Sequence, residues 1–185
     1  MVDVVASGLV TGRTRRRPRA PYDAGVTPTL RLAVPADAEA GAAMHAACWR
    51  EAYGPYVDPQ RLAERLADTD RWVAAWTKHL VDGPPRVLAE AAGEIVGFAV
   101  TGPSRDEDAA TPDELYAIYV RAAWWGTGLS QRLWEAVRPD GPCSLWVLED
   151  NARAQGFYRR TGFEPDGARE LYAGLGAWEI RMVRP

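Results

Sequence analysis

"YVRAAWWGTGLSQRLWEAV" spans Tyr119 to Val137, and the reading of this stretch decides the fold. An apolar strand (Glu114–Val120) runs out, Gly126 and Gly128 follow, and Leu129, Leu133 and Val137 then repeat at helical spacing. Glycine at such a junction lets the backbone approach a ligand closely and adopt angles closed to other residues. The first N–H groups of a helix lack internal partners and carry the positive end of its dipole. A phosphate at that point accepts several of them at once. Charge-assisted hydrogen bonds of about 1.5–3 kcal/mol each outweigh the dipole's own 0.3–1 kcal/mol or so. The spacing predicts an anion held by backbone amides rather than by side-chain charge. A plain structural turn fits the two glycines equally well. There is no Gly-Lys-Ser/Thr ending of a P-loop, and Gln131 stands where a dinucleotide fingerprint needs its third glycine.

Upstream, "TLRLAV" (29–34) alternates as a strand, and Pro35 and Asp37 open a helix with Asp37 as its expected N-cap. Pro59 starts a second helical region, Gln60 to Val81, with a break near Asp68-Thr69. Arg86–Glu90 and Ile95–Thr101 read as a hairpin turning at Ala92-Gly93-Glu94. Downstream, "CSLWVLE" is a strand and "NARAQGFYRRTGF" (151–163) a helix, with Asn151 able to cap it and Gly162 placed as its C′ residue. "GAWEIRMV" closes the chain as a strand. The order β-α-α-β-β-β-α-β-α-β-β predicts a mixed sheet covered by helices, since a pure parallel sheet would lack the hairpin.

"WWGTGLS" between strand and helix, followed by "NARAQGFYRRTGF", resembles the GNAT superfamily of N-acetyltransferases. The family's coenzyme A loop, Arg/Gln-x-x-Gly-x-Gly/Ala, falls on Trp125, Gly126, Thr127, Gly128, Leu129 and Ser130. Its downstream motif, Asn-x-x-Ala-x-x-Phe-Tyr-x-x-x-Gly-Phe, matches at Asn151, Ala154, Phe157, Tyr158, Gly162 and Phe163. The resemblance covers residue 29 to the C-terminus. It implies an α/β (α+β) fold: a mixed, largely antiparallel sheet of six to seven strands flanked by about four helices. It also implies acetyl-CoA as acyl donor, with no metal.

Two positions depart from the loop pattern. Trp125 replaces Arg/Gln and either donates its one indole N–H or packs under the loop. Ser130 replaces Gly/Ala and adds a hydroxyl. Arg121 and Arg132 are the candidates for the missing charge.

Acetyl transfer to an amine requires the neutral amine, a donor for the oxyanion and a proton for the leaving thiolate. An alkylammonium of pKa about 10.4 is less than about 0.1% neutral at pH 7, so a general base is worth typically ~10²–10⁴-fold. By family resemblance the base is Glu114, at the start of the strand before the loop, with Asp113 and Glu149 in reserve; a solvated strand-end carboxylate is the plainer reading of Glu114. The resemblance also implies that backbone at Ile118, Tyr119 and Val120 binds the acetyl carbonyl and pantetheine. It makes Tyr158 the acid that protonates the thiolate, with a packing role as the alternative. Asn151 binds pantetheine or merely caps its helix. Trp49, Tyr53 and Tyr56 form either an aromatic acceptor pocket or ordinary core. Asp106, Glu107 and Asp108 either attract a cationic acceptor or form a solvated loop.

The expected reaction is direct acetyl transfer to a primary amine of a small molecule through a ternary complex. A protein N-terminus or lysine is the alternative acceptor, and an acyl-CoA-binding module without catalysis is the alternative function. The composition, 47% apolar and 25% charged over 185 residues, suits one globular domain (29–185). Cys48 and Cys143 read as reduced, buried thiols, and neither His45 nor His79 sits in a metal-binding cluster. No apolar run approaches the ~18 residues of a membrane span, so a cytoplasmic protein without membrane partners is expected. Residues 1–28 carry five arginines against two aspartates, which leaves −6 of the net −3 to the rest. That segment reads as a disordered basic leader, and the acidic body argues against nucleic acid as partner. A homodimer is compatible with the sequence.

Overall fold

In the computed structural model, residues 26–185 are described; the basic leader lies almost wholly outside them. Seven strands form one sheet: β1 (Thr29–Leu32), β2 (Val87–Ala91), β3 (Glu94–Pro103), β4 (Asp113–Val120), β5 (Cys143–Leu148), β6 (Glu164–Tyr172) and β7 (Ala177–Arg184). Their spatial order is β1-β2-β3-β4-β5-β7-β6. Every neighbouring pair is antiparallel except β4 with β5.

Three helices cover one face: α1 (Ala38–Tyr53), α2 (Pro59–Ala67) and α3 (Thr69–Asp82). They bury Met44, Cys48, Trp49, Leu62 and Trp76 against Leu88, Phe98 and Val100 of the sheet. Gly41 is what lets α1 meet α3 closely, because a Cβ there would stand 2.3 Å from the Trp76 ring. The break expected near Asp68 is real: its carboxylate accepts from the Arg71 backbone N–H at 2.9 Å and starts α3. Asp37 behaves differently from expectation. It stands at the N-cap position of α1, but its side chain makes no cap bond to that helix; the carboxylate is held bidentately by Arg31 at 2.7 and 2.8 Å and accepts from the Val34 backbone N–H at 2.8 Å.

The other face carries α4 (Leu129–Val137) and α5 (Ala152–Arg160). Leu133 is fully buried among Ala89, Val96 and Ala99, a side chain worth about 1.5–3 kcal/mol of apolar burial. Phe163, just past α5, is fully buried with Trp134, Leu145 and Met182. The expected cap residues of α5 hold: Asn151 Oδ1 accepts from the Ala154 N–H at 3.1 Å, and Gly162 takes φ +95° beyond the helix end. Both cysteines are free and buried, and desolvation pushes each thiol up to about 12. No described helix is long and apolar enough to cross a membrane.

Candidate active site

β4 and β5 pair only at Asp113–Cys143 and Glu114–Ser144. Beyond those pairs the strands diverge, while β4 keeps its ladder with β3 as far as Val120. A bulge at Val100/Thr101 shifts the β3–β4 register and bends the strand where the divergence begins. The resulting cleft leaves the β5-facing edge of β4 unpaired. It opens into a cavity of about 500 Å³, walled by residues 115–120 of β4 and 146–148 of β5.

The glycine junction forms one end of this cavity. Gly126 has φ +75° and Gly128 φ +88°, and Gly128 is the residue before α4. A Cβ on Gly128 would meet nothing within 4 Å, so its requirement is conformational and not spatial. Gly126, Gly128, Ser130 and Gln131 line the cavity. Leu129, Ser130 and Gln131 open α4, where N–H groups have no partner within the helix. Thr127 and Leu129 of the expected loop stand elsewhere: the Thr127 hydroxyl donates back to the Trp124 carbonyl at 2.8 Å, and Leu129 is core. Donor chemistry, left-handed glycines and open space all fit a bound diphosphate.

Trp125 also lines the cavity, but its indole N–H is spent on the Val120 carbonyl at 2.8 Å. The ring packs under the loop and supports Arg153, whose guanidinium carbon lies 3.5 Å from the ring centre. Neither arginine expected to compensate is available. Arg121 is held by Glu51 of α1 through two 3.0 Å contacts, and Arg132 is exposed outside the cavity wall.

Tyr158 of α5 lies at the cavity wall with Asn151, Phe157 and Arg153. Burial pushes its phenol above the ordinary range, with Arg153 pulling it back, so it stays protonated at neutral pH. Ile118, Tyr119 and Val120 also line the cavity.

The expected base does not reach the cavity. Glu114 is 2% exposed and sits where β4 and β5 are still paired. Arg105 binds its carboxylate through the backbone N–H at 3.0 Å, through Nε at 3.1 Å and through Nη2. A carboxylate paired with a cation in this way is a weak base, and Glu114 is not among the residues that line the cavity. Of the reserves, Glu149 is paired with Arg169 at 2.6 Å, and Asp113 lies in the same paired stretch as Glu114. The acidic loop is likewise engaged: Asp106 and Asp108 both bind the buried Arg181 of β7, at 3.1 and 3.0 Å.

The aromatic trio divides. Tyr53 lines the cavity, and its hydroxyl lies 2.5 Å from that of Tyr119. Trp49 and Tyr56 do not line it. Trp49 is core, donating its indole N–H to His45 Nε2 at 2.9 Å. Burial drops the His45 pKa to about 3, which keeps that ring neutral and able to accept. Tyr56 packs against the α1–α3 core.

One carboxylate escaped the sequence reading. Glu179 of β7 pairs with Leu148 of β5, a cavity residue, and with Glu170 of β6. No hydrogen bond or ion pair reaches its carboxylate among the described residues. Burial, and secondarily Glu170, pushes its pKa up to about 7. Its charge acts on Tyr53, Tyr119 and Tyr158, three residues of the cavity wall, although Glu179 itself is not part of that wall. In "AWEIRMV" Trp178, Ile180 and Met182 alternate, so Glu179 reads as solvent-facing. The burial that shifts it belongs to the packed fold and has no local signature. Among the described residues, no group of three His, Cys, Asp or Glu side chains could hold a metal ion.

A family profile described as "Acetyltransferase (GNAT) domain" matches residues 84–165. A probable N-acetyltransferase of Mycobacterium tuberculosis is 31% identical over 161 residues, covering 83% of this chain and 90% of that protein. An aminoglycoside N(6')-acetyltransferase type 1 of Stenotrophomonas maltophilia is 29% identical over 147 residues, 74% of this chain and 86% of that one. Among solved structures, a Salmonella typhimurium putative acetyltransferase with its cofactor acetyl-CoA superposes with TM-score 0.61 at 20% identity, covering 85% and 92% of the two chains.

Proposed function

The chain belongs to the GNAT superfamily of N-acetyltransferases, and from that premise we propose that it transfers the acetyl group of acetyl-CoA directly to a primary amine of a small molecule. The observation that carries this reading is the single cavity joining the left-handed glycine loop to Tyr158 through the gap between β4 and β5. An anionic head held at one end sets a thioester at the other, beneath the unpaired edge of β4. The likeness to an aminoglycoside acetyltransferase supports a small, amine-bearing acceptor.

Glu179, and not Glu114, is the base in this reading. Its pKa near 7 matches the pH at which a base must take a proton and pass it on. Because it is not part of the cavity wall, it takes one proton from the incoming ammonium through water. The neutral nitrogen attacks the thioester carbonyl, and the C–N bond forms. N–H groups on the open edge of β4 receive the developing oxyanion. On collapse the C–S bond breaks, Tyr158 gives its proton to the departing sulfur, and the second amine proton restores the phenol. The products are the amide, coenzyme A thiol and one proton, which Glu179 releases to water. Tyr53 and Tyr119 form the polar floor on the acceptor side.

The test is free-thiol release from acetyl-CoA with small primary amines run beside peptides bearing a free N-terminus or lysine. Turnover with small amines and none with peptides is expected. Turnover confined to peptides would reassign the acceptor, and acetyl-CoA binding without turnover on either panel would make this an acyl-CoA-binding module.

A further inference from the structure

Arg153 stands in the first turn of α5, two residues after the cap Asn151. Helical side chains lean toward the N-terminus of their helix, which here carries the guanidinium off α5 toward the loop that follows β4. It lands over the face of Trp125, its guanidinium carbon 3.5 Å from the ring centre, and the indole is fixed by its bond to the Val120 carbonyl. Both residues line the cavity. Arg153 thus bridges the two lips of the cleft.

Arg105, Arg121, Arg169 and Arg181 each pair with a carboxylate. Arg153 pairs with none among the described residues. Desolvation lowers its pKa, with only the phenols of Tyr56 and Tyr158 opposing. An aromatic face stabilises a cation by about 0.5–2 kcal/mol but leaves the charge and the in-plane N–H donors unanswered. On the loop side the cavity that Arg153 lines is bounded by Gly126, Gly128 and Ser130, which add backbone donors and no acid. A desolvated cation beside a nest of N–H groups calls for an anion.

We propose that Arg153, seated on Trp125, is the side chain that binds the diphosphate of coenzyme A together with the amides at the start of α4. The planar guanidinium suits two-point contact with phosphate oxygens, and the indole holds that plane ready before the ligand arrives. Trp125 is therefore a positioning residue, and Arg153 a coenzyme-binding one. The assignment rests on the acetyl-CoA reading above.

Calorimetric titration of the full chain tests it, with coenzyme A, 3′-dephospho-coenzyme A and pantetheine as probes. Arg153→Gln should weaken both coenzyme A and its dephospho form by about ten- to a hundredfold, the scale of a charge-assisted contact. Pantetheine, which lacks the diphosphate, should change by less than twofold when followed by ligand-observed NMR. Arg153→Lys should recover part of the loss. Trp125→Leu should cause a smaller loss that disappears in the Arg153→Gln background. Unchanged coenzyme A affinity in Arg153→Gln would overturn the proposal. So would a loss confined to coenzyme A, which would move Arg153 to the 3′-phosphate, or an equal loss for pantetheine. If the unmutated chain binds no coenzyme A, the acetyl-CoA reading itself fails, a result distinct from each of these.

Discussion

Arg105 closes on Glu114 from three sides, with one backbone and two side-chain nitrogens on a carboxylate buried at the joined end of β4 and β5. The pair ties the loop between β3 and β4 to the point from which the cleft opens. Its role is thus to fix the hinge of the cleft. Glu114→Gln leaves Arg105 without its counter-charge and should cost about 1–3 kcal/mol, moderated because Arg105 is largely exposed. Urea denaturation measures that loss. The pH–rate profile should keep its shape, and a profile displaced by this substitution would return Glu114 to the proton-transfer path.

Glu179 predicts the complementary behaviour. With a pKa near 7, a base loses its proton as pH rises, so kcat/KM should climb through a limb centred on about pH 7 and level roughly a unit above it. Glu179→Gln should lower the rate by ~10²–10⁴-fold and abolish that limb. Stability moves the opposite way. The folded-state pKa lies above the ordinary value of 4.5, so the folded chain binds the proton more tightly than the unfolded chain. That contribution is complete below about pH 4.5 and is lost as pH rises through 7. Each unit of displacement is about 1.4 kcal/mol. Glu179→Gln should therefore be more stable than the unmutated chain at pH 8, by on the order of 1–3 kcal/mol, and about equal to it at pH 4.5. Melts at the two pH values that show no such difference would remove the desolvated carboxylate from the account.

These two glutamates mark how far the sequence is legible. Gly126, Gly128, Asn151 and Gly162 answer local backbone demands, so their neighbours in sequence reveal them. Strand order follows from alternation and turns for the same reason. Alternation places Glu114 on its strand, but Arg105, nine residues away across a loop, decides what the carboxylate does. Asp37 is likewise held by Arg31 and makes no side-chain cap to α1. Glu179 acts on Tyr53 of α1, over 120 residues earlier, and Arg153 meets Trp125 only because α5 and the loop converge. Burial and charge pairing across the sheet are properties of the packed chain, and they decide which of several acidic or cationic residues is left free to act.

Tyr158 should separate chemistry from binding. Its phenol is desolvated and protonated, so Tyr158→Phe keeps the ring against Phe163 and removes only the proton donor. The turnover number should fall by ~10²-fold or more, with coenzyme A affinity within about twofold. Thiol-release kinetics beside calorimetry read the two quantities. An unchanged turnover number would leave Tyr158 a packing residue.

Gly128 tests the cradle through backbone angle alone. At φ +88°, with open space where a Cβ would point, Gly128→Ala meets no atom and yet must hold a left-handed conformation. That costs an L-residue roughly 1–2 kcal/mol. The chain can relieve the strain by rotating the start of α4, which would turn the Ser130 and Gln131 amides away from the cavity. The expected result is a lower melting temperature together with several-fold weaker coenzyme A binding. Gly128→Asn, whose side chain tolerates this region better, should recover part of both. If Gly128→Ala melts and binds like the unmutated chain, the left-handed turn is not what aims those amides, and the loop must hold its ligand by other groups.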